Sequence, residues 1–399
     1  MLVVGGGAAA AAAVEGIRAQ GDHGPVLLLG AEAEPPYERP ALSKALLRGE
    51  VGRGAIRTHD PAWYRHHGVE LLLGTEAVGL DLASATVTTD RDEQLGYGRL
   101  LLATGARPRR LGLPGEELDG VCHLRSLEDA ERLRAAIARA GTVVVLGGGF
   151  VGAEVAASAT QMGARATLVE QAATVLDGVL GTTVGGLVEA FLRERGVHVR
   201  TRTRALRLEG DEAVEAVTLA DGGRLHAAAV VVAAGVHPET GLAERAGLRV
   251  EDGILVDRQL RAADRVWAAG DAASAEHPTF GRIRPVSWAE ARHQGWLAGA
   301  AMAGGERGYE RVPRGTLSLF DLSATLLGAA AGSDRLVLRG DLDPAEPRLV
   351  AWYLRGATPR AALVVNWRDA EEQVAAVLGR GAPADPERLA DSSAPPGAP

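Results

Sequence analysis

Two glycine-rich turns in this sequence have the residue types and spacing that bind phosphate groups. Small residues fill the G-x-G-x-x-G/A positions in both turns: Gly5, Gly7 and Ala10 in LVVGGGAAA, and Gly147, Gly149 and Gly152 in VVVLGGGFVG. The first glycine permits a tight turn, the second lets the backbone approach a pyrophosphate, and the third position lets helix and strand pack closely. Two such turns predict two bound dinucleotides, with hydride or electron transfer between them.

Acidic residues stand where each turn would bind a ribose. Glu170 ends the strand that follows the second glycine turn and its helix. A carboxylate at this position accepts both ribose hydroxyls and repels a 2′-phosphate. The following residues 171–173 contain no arginine for such a phosphate, which predicts NADH rather than NADPH. After the first glycine turn, Glu32 is the candidate ribose-binding acid, one step later than the regular position after Gly30. The alternative for each acid is a solvated carboxylate at a strand end.

Three other charged residues are candidates for chemistry. Lys44 begins a helical stretch, and beside a flavin ring its ammonium would stabilise the negative charge that develops on reduction. Glu154 lies one turn inside the helix after the second glycine turn, and an ion pair with Lys44 is a hypothesis. Asp271 follows Gly270 at a strand end, where it would bond a polyol hydroxyl, cap a helix, or do both. The alternative for Lys44 is an ordinary solvated charge.

Strands and helices alternate around these residues. The pattern predicts strand–helix–strand units at 3–29 and 142–170, a helix from Ser126 with Asp129 as its capping-box partner, and a helix near 187–195. A hairpin is predicted at Asp221–Gly222, a strand at RVWAA and a helix at SWAEARHQGWLAGAAMAGG. From Val312 the chain is β-rich, with one helix near 370–378.

Composition limits the possible functions. A chain of 399 residues can form two or three domains, and its net charge of -8, without a basic stripe, argues against nucleic-acid binding. The lone cysteine, Cys122, excludes an internal disulfide and therefore disfavours a thiol–disulfide reductase. The sequence lacks a membrane-length apolar segment and signal-peptide features, which predicts a cytoplasmic location. Only Met1 to Val4 precede the first glycine, so an upstream start is an open alternative.

These features together resemble the FAD-dependent ferredoxin reductases of oxygenase systems, a group that includes putidaredoxin, rhodocoxin and biphenyl dioxygenase reductases. They belong to the pyridine nucleotide-disulfide oxidoreductase superfamily but have no redox disulfide. The resemblance runs from Val3 to about Asp391, and its specific motifs are PPYERPALSK, LLLATGARPR, LRSLEDAERLR, VVVLGGGFVGAEVAA with TLVE, and RVWAAGDAA.

The resemblance implies an α/β fold of glutathione-reductase type, with two Rossmann-like nucleotide-binding domains and a C-terminal β-rich α+β domain. It places an FAD-binding domain at 1–107 and 239–311, an NAD-binding domain at 108–238, and a C-terminal domain at 312–399 with a mobile tail from about 381. The implied FAD contacts, together with the glycine-turn candidates, are Gly5, Gly7, Ala9, Ala10, Glu32, Arg39, Lys44, Val78, Ala103, Thr104, Gly105, Arg125, Asp271 and Trp288. The corresponding NADH contacts are Gly147, Gly149, Phe150, Val151, Gly152, Glu154, Glu170 and Gly235.

The implied activity is hydride transfer from NADH to FAD, followed by single-electron transfer to a ferredoxin-type iron–sulfur protein. Lys44 and Glu154 are the predicted catalytic residues, no metal is expected, and the protein would act as a monomer or homodimer. A basic docking patch for an acidic ferredoxin has an ordinary solvated surface as its alternative, and its candidate residues are Arg107, Arg109, Arg110, Arg311 and Arg314.

The sequence departs from the family pattern at Ala31, Val286, Arg314–Leu317 and Leu319. The family has acids at the first two positions, an aromatic W-F-W-S segment near the flavin at the third and a glutamine at the fourth. Three alternatives therefore stay open. Electrons would pass to oxygen, a quinone or a small metabolite; or the chain would be a nucleotide-sensing flavoprotein analogous to apoptosis-inducing factor; or it would lack FAD.

Overall fold

The computed structural model describes residues 1–393 and 395, which form two compact units. The first unit comprises residues 1–38, 54–107 and 237–315, and the second comprises residues 39–53, 108–236 and the chain from 316 onward. The sequence places 39–53 in the FAD-binding domain, whereas by contacts this segment groups with the second unit. The predicted domain boundaries stay a prediction. Within the described residues, no helix has the length and apolar character needed to cross a membrane.

The helices lie in both units, and short 3-10 turns at 39–43, 53–56, 270–272 and 368–370 connect them to neighbouring segments. The helices are α1 (Ala8–Ala19), α2 (Pro61–His66), α3 (Leu127–Ala140), α4 (Phe150–Gln161), α5 (Asp177–Glu194), α6 (Gly241–Arg245), α7 (Trp288–Met302), α8 (Glu371–Arg380) and α9 (Pro386–Ala390).

The strands are short in the first part of the chain and longer near its end. They are β1 (Leu2–Val4), β2 (Val26–Gly30), β3 (Val69–Leu73), β4 (Ala77–Asp81), β5 (Thr86–Thr89), β6 (Gln94–Gly96), β7 (Leu100–Leu102), β8 (Ala106–Pro108), β9 (Val121–Cys122), β10 (Thr142–Leu146), β11 (Arg165–Val169), β12 (His198–Arg200), β13 (Ala205–Glu209), β14 (Ala216–Leu219), β15 (Arg224–His226), β16 (Ala229–Val232), β17 (Val236–Pro238), β18 (Val250–Glu251), β19 (Gly253–Val256), β20 (Arg261–Ala263), β21 (Val266–Ala268), β22 (Ala273–His277), β23 (Gly281–Ile283), β24 (Arg314–Leu319), β25 (Leu322–Gly328), β26 (Arg335–Asp341), β27 (Arg348–Arg355) and β28 (Thr358–Val365).

The first unit is built on a sheet with strand order β20–β21–β7–β1–β2–β3. Strand β1 is parallel to both β2 and β7, with Leu2 opposite Leu27 and Leu100, so the first glycine turn leaves the centre of the sheet. The central strands are fully apolar and buried, as expected for a sheet covered on both faces. Two smaller sheets, β4–β5–β6 and β18–β19–β22–β23, complete this unit.

Helix α1 packs against α7 through glycine and alanine. A Cβ atom added at Gly295 would lie 2.1 Å from the Ala9 carbonyl oxygen, and one added at Gly299 would lie 2.0 Å from that of Ala13. The two backbones can approach this closely only because both positions lack a side chain. The alanine run after the first glycine turn is therefore a helix-packing face.

The second unit contains the parallel sheet β12–β11–β10–β16–β9 and the antiparallel sheet β24–β25–β28–β27–β26. A third sheet, β13–β14–β15, includes the predicted hairpin, in which Asp221 accepts a hydrogen bond from the Gly223 N–H and Gly222 has φ +84°. Parallel Rossmann-like sheets and a C-terminal antiparallel domain confirm the predicted α/β class.

Helix α3 begins as predicted, because Ser126 and Asp129 form the reciprocal capping box. Helix α5 begins ten residues earlier than the predicted helix near 187–195, and Gly181 interrupts its helical dihedral angles. Within the tail predicted to be mobile, α9 is helical and Leu389 is buried. Residues 394 and 396–399 of that tail lie outside the described residues, and its mobility stays a prediction.

Candidate active site

The first glycine turn has the geometry that its fingerprint predicts. Gly5 has φ +131°, and a Cβ atom there would lie 2.0 Å from the Ala103 carbonyl oxygen, so only glycine fits. A Cβ at Gly7 would meet no protein atom within 4 Å, which leaves open space in front of α1. Ala10 is fully buried in the helix. The turn therefore offers its backbone N–H groups to a pyrophosphate without obstruction by protein atoms.

The second glycine turn repeats this arrangement between β10 and α4. Gly147 has φ +109°, and its N–H donates a 2.8 Å hydrogen bond to the Val169 carbonyl oxygen. A Cβ at Gly152 would lie 1.9 Å from the Gly147 carbonyl oxygen, whereas one at Gly149 would meet nothing within 4 Å. The open position again precedes a helix N-terminus. At that end Phe150 begins α4 and the Val151 side chain is exposed.

Glu170 lies at the same sheet edge as this turn. Its Oε2 accepts a 2.6 Å hydrogen bond from the Gly148 N–H, and its Oε1 accepts one of 2.8 Å from the Ala172 N–H. Each carboxylate oxygen keeps a lone pair for a ribose hydroxyl. Gly235 follows β16, the strand paired with β10 on its other side, and has φ +91°. The second unit therefore brings the predicted NADH contacts to the carboxyl ends of adjacent parallel strands, where ligands bind in such sheets.

Lys44 and Glu154 form the ion pair that the sequence suggests as a hypothesis. The distance from Lys44 Nζ to Glu154 Oε1 is 2.8 Å, and the two side chains are 18% and 6% exposed. Glu154 also accepts hydrogen bonds of 2.6 Å from Ser43 Oγ and 3.3 Å from the Ser318 N–H. The carboxylate is thus fixed by donors from separate segments of the second unit, and it holds the ammonium in a single position.

Ser43 and Ser318 are site residues that the sequence reasoning missed. Ser43 precedes Lys44 directly, so the short 39–43 turn places both side chains beside Glu154. The Ser43 carbonyl oxygen also accepts a 2.6 Å hydrogen bond from Ser158 Oγ on α4. No pattern in the sequence links position 318 to position 154, because a backbone N–H carries no residue-type signal.

The predicted FAD contacts are divided between the units. In the second unit, the Arg39 guanidinium donates a 2.5 Å hydrogen bond to the Arg125 carbonyl oxygen, so these two predicted contacts lie together. In the first unit, residues 103–105 follow β7 directly, and Thr104 Oγ1 donates a 2.6 Å hydrogen bond to the Glu239 carbonyl oxygen. Their role as FAD contacts stays a prediction.

Gly270 lies beside α1, Asp271 follows it directly, and Trp288 belongs to the helix that packs against α1. Gly270 has φ +77°, its N–H donates to Gln294 Oε1, and a Cβ there would lie 3.2 Å from the Cβ of Ala9. Trp288 begins α7, and its indole Nε1 is buried without a hydrogen-bond partner in residues 1–393 and 395. A buried donor of this kind requires an acceptor, and a bound ligand would supply one. The open glycine turn and this donor fit a bound dinucleotide such as FAD.

Glu32 follows β2, and Val78 lies in β4 of a separate small sheet. Glu32 Oε2 accepts a 2.5 Å hydrogen bond from the Tyr37 hydroxyl, and its backbone oxygen accepts one from the Gly74 N–H. The preceding Ala31 is exposed and has no polar side chain, and Val78 is also exposed. Glu32 is therefore the carboxylate at this position, and ribose binding by it stays a prediction.

A buried glutamate organises the end of the first unit. Glu290 is fully buried and accepts hydrogen bonds of 2.8 Å from the Tyr309 hydroxyl, 2.6 Å from the Arg311 guanidinium and 3.0 Å from the Arg314 N–H. Burial first, and the charges of Arg311 and Arg314 second, lower the pKa of His293 to about 4. Sequence reasoning missed this cluster, because its residues have neither a regular spacing nor a known motif.

The predicted basic patch is only partly available as free charge. Arg107 contacts Glu239 at 3.4 Å and Arg311 contacts Glu290 at 2.6 Å, so nearby carboxylates balance both. Arg109 and Arg110 are exposed. Docking through these residues stays a prediction.

The histidine, cysteine and acidic side chains of the described residues bear on metal and thiol chemistry. No group of three or more His, Cys, Asp or Glu side chains in them could hold a metal ion. Burial raises the pKa of the Cys122 thiol to about 12, and this thiol lies 3.7 Å from the Asp129 carbonyl oxygen. A thiol of this kind stays protonated, which agrees with the packing role expected for it.

Comparison with known proteins shows the family. The profile of pyridine nucleotide-disulphide oxidoreductases matches residues 1–295, and that of the reductase C-terminal domain matches residues 319–395. The ferredoxin–NAD(+) reductase component of the anthranilate 1,2-dioxygenase system of Burkholderia cepacia is 36% identical, with 98% of this chain and 96% of that protein covered. A rubredoxin–NAD(+) reductase of Pseudomonas putida is 34% identical, with coverage of 88% and 92%.

Solved structures agree with the sequence comparison. The crystal structure of the covalent putidaredoxin reductase–putidaredoxin complex matches with a TM-score of 0.94 at 32% identity, covering 99% of this chain and 96% of that one. The two matched profiles and this structure agree on the fold, and the names of the two relatives agree on the coenzyme. The chain therefore belongs to the pyridine nucleotide-disulphide oxidoreductase family, as an FAD-containing, NADH-dependent oxidoreductase.

Proposed function

We propose that this protein transfers electrons from NADH, through FAD, to a ferredoxin-type iron–sulfur protein of an oxygenase system. The observation that carries the proposal is the Lys44–Glu154 ion pair, held one helical turn beyond the NADH-type glycine turn. When bound, the flavin supplies the conversion of a two-electron donor into single-electron steps. The family members with the most similar sequences include reductases named for ferredoxin, rubredoxin and putidaredoxin.

The residues of the chain have separate tasks in this proposal. Gly7 and Gly149 leave the space in which the phosphates of FAD and NADH would bind, and Glu170 accepts the adenosine ribose hydroxyls. Lys44 places a positive charge where negative charge develops on reduction, and Glu154 keeps it there. These residues orient the reactants and stabilise charge; none of them forms a covalent bond in the reaction.

The acceptor is proposed from the relatives, and the docking surface is proposed from charge. Arg107, Arg109 and Arg110 are the exposed members of the predicted patch. Glu239 pairs with Arg107, so an acidic ferredoxin would be steered toward the other two. Reduction of the ferredoxin should then fall steeply with added salt. An arginine-to-glutamate change at both positions should slow ferredoxin reduction and leave NADH oxidation with ferricyanide unchanged. A flat salt response would discard the patch and leave the rest of the proposal in place. The cytoplasmic location and the monomeric or dimeric state stay predictions.

Anaerobic mixing tests the proposal as a whole. The purified FAD-containing protein is reduced with NADH and then mixed with ferredoxins, rubredoxins, quinones or oxygen in separate experiments. We expect rapid reoxidation by at least one iron–sulfur protein and slow reoxidation by the small oxidants. Reoxidation by oxygen or a quinone at the same rate as by every iron–sulfur protein would contradict the proposed acceptor.

One observation favours a small-molecule acceptor as a second candidate. Strand β24 lies beside Glu154 through the Ser318 N–H, and its exposed positions carry the small side chains of Thr316 and Ser318. Its larger residues, Leu317 and Leu319, are buried. The family's bulky aromatic cover is therefore absent from the strand that contacts the ion pair, which leaves more room for a small oxidant.

A further inference from the structure

Arg202 lies next to the predicted ribose-binding acid, although 32 positions separate the two in the sequence. Strands β11 and β12 are parallel, with Val169 opposite Arg200. Beyond the strand ends, the Arg202 N–H donates a 2.9 Å hydrogen bond to the Ala172 carbonyl oxygen, and the Thr203 N–H donates one of 3.3 Å to that of Glu170. The backbone of Arg202 is thus fixed at the carboxyl edge of the sheet, beside the segment that follows Glu170.

The conformation of Arg202 is unusual. Its φ is +57°, which lies in the left-handed region. For a residue other than glycine, this conformation is unfavourable in free energy. The side chain is exposed, and within residues 1–393 and 395 it makes no ion pair. By contrast, Arg200 is paired with Asp221 at 2.6 Å. Arg202 therefore presents an uncompensated positive charge at the edge where an adenosine ribose would bind.

Glu170 and Arg202 act in opposite directions on a phosphorylated ribose. The Glu170 carboxylate, held by the N–H groups of Gly148 and Ala172, repels a 2′-phosphate. An arginine at the same edge would attract that phosphate and bind it through two parallel hydrogen bonds. The sequence around Glu170 offers no such arginine, and the fold brings one from the next strand.

We propose that Arg202 forms a latent 2′-phosphate site and that Glu170 alone excludes NADPH from it. The proposal rests on the NADH site of the proposed function and adds the residue that would decide between the two coenzymes. In the natural protein the carboxylate dominates and NADH is preferred. Without that carboxylate, Arg202 pairs with the 2′-phosphate and the preference shifts toward NADPH.

Calorimetric titration with 5′-AMP and 2′,5′-ADP tests the proposal without any electron transfer. Both ligands are titrated into the FAD-containing wild-type protein, Glu170→Ala, Arg202→Ala, and the double variant. We expect Glu170→Ala to raise the affinity for 2′,5′-ADP relative to 5′-AMP by about tenfold or more, since it removes a repulsive charge. In the double variant, the affinity for 2′,5′-ADP should be about tenfold lower than in Glu170→Ala. The affinity for 5′-AMP should be the same in both.

Arg165→Ala in the Glu170→Ala background is the matched control. Arg165 is also exposed, but it begins β11, at the opposite end of the strand from Glu170. This control should leave the ratio of the two affinities as it is in Glu170→Ala. If Glu170→Ala and the double variant have the same ratio of 2′,5′-ADP to 5′-AMP affinity, the Arg202 proposal is overturned. The proposed function is then left intact.

Two further measurements separate failure of the site from failure of the fold. Glu170→Gln keeps an acceptor for the Gly148 N–H and removes only the charge, so it should show the same shift as Glu170→Ala if folding is retained. NADPH and NADH reduction rates should change in the same sense as the two affinities. Absence of 5′-AMP binding in the wild-type protein would overturn both this proposal and the NADH site on which it rests.

Discussion

Replacing Lys44 with methionine should destabilise the protein as well as slow flavin reduction by NADH. The change leaves the Glu154 carboxylate, which is 6% exposed, without its positive partner. Breaking a buried ion pair costs about 3 to 5 kcal/mol. Because the Lys44 side chain is 18% exposed and water reaches the pair, we expect the lower end, about 3 kcal/mol. With about 2 °C of melting temperature per kcal/mol for a chain of this size, the loss is about 6 °C.

Glu154→Gln should be milder. The glutamine amide oxygen still accepts a hydrogen bond from Ser43 or Ser318, and the Lys44 ammonium can turn toward water. We expect a loss of about 1 kcal/mol, or about 2 °C. The double variant Lys44→Met with Glu154→Gln contains no unpaired charge and should melt close to Glu154→Gln, well above Lys44→Met. Thermal melts at fixed excess FAD measure this difference, since bound cofactor shifts the midpoint.

Stopped-flow reduction by NADH separates stability from catalysis. The double variant should melt at a higher temperature than Lys44→Met, but its flavin should be reduced by NADH just as slowly. Both variants lack the positive charge of Lys44. A loss of about 100-fold in the rate of flavin reduction is typical when one charge-stabilising donor is removed. An unchanged rate in Lys44→Met would remove Lys44 from the catalytic residues. A double variant no more stable than Lys44→Met would refute the ion-pair reasoning.

Three other predictions follow, and five variants test them. Gly152→Ala should prevent reduction by NADH and lower the melting temperature, because a Cβ there would lie 1.9 Å from a carbonyl oxygen. Gly149→Ala should keep the melting temperature and weaken only NADH binding, and equal thermal losses in the two variants would contradict this reasoning. The pKa of His293 is lowered to about 4, so the unfolded chain binds a proton near pH 6.5 that the folded chain does not. Thermal stability should therefore be complete above about pH 6.5 and fall toward pH 4, a slope that His293→Gln should flatten; an identical pH profile in this variant would refute the assignment. Glu290→Leu should cost more than Tyr309→Phe, about 3 against about 1 kcal/mol, since only the first leaves a guanidinium without its buried partner. Melting temperatures of the two variants check this order, and a larger loss for Tyr309→Phe would contradict it.

Local chemistry made the two nucleotide-binding units and helix α3 predictable. The glycine fingerprints and the Ser126–Asp129 capping box involve residues within a few positions of one another, so their geometry depends little on the rest of the fold. The beginning of α5 was missed because its local sequence does not look helical. Glycines at 178, 181, 185 and 186 obscure a helical pattern, although Gly185 is buried against the chain at residues 174–175.

Long-range contacts were not predictable in this way. The contacts of Glu154 with Ser43 and Ser318 join segments separated by more than a hundred residues. The Glu290 cluster and the position of Arg202 also depend on how strands and loops are arranged in space, and residue type alone does not specify that arrangement. The ion pair of Lys44 with Glu154 was a hypothesis that the sequence alone could not establish, because 110 positions separate the two residues.

The glycine contacts between α1 and α7 have a consequence for electron transfer. Their backbones touch at Gly295 and Gly299, so neither helix can tilt or slide without the other. The first glycine turn begins α1 and Trp288 begins α7, so these two predicted FAD contacts belong to one rigid frame. A rigid frame keeps the protein dipoles in place while the charge of a bound group changes. We therefore expect this frame to keep the reorganisation energy of each proposed electron step low.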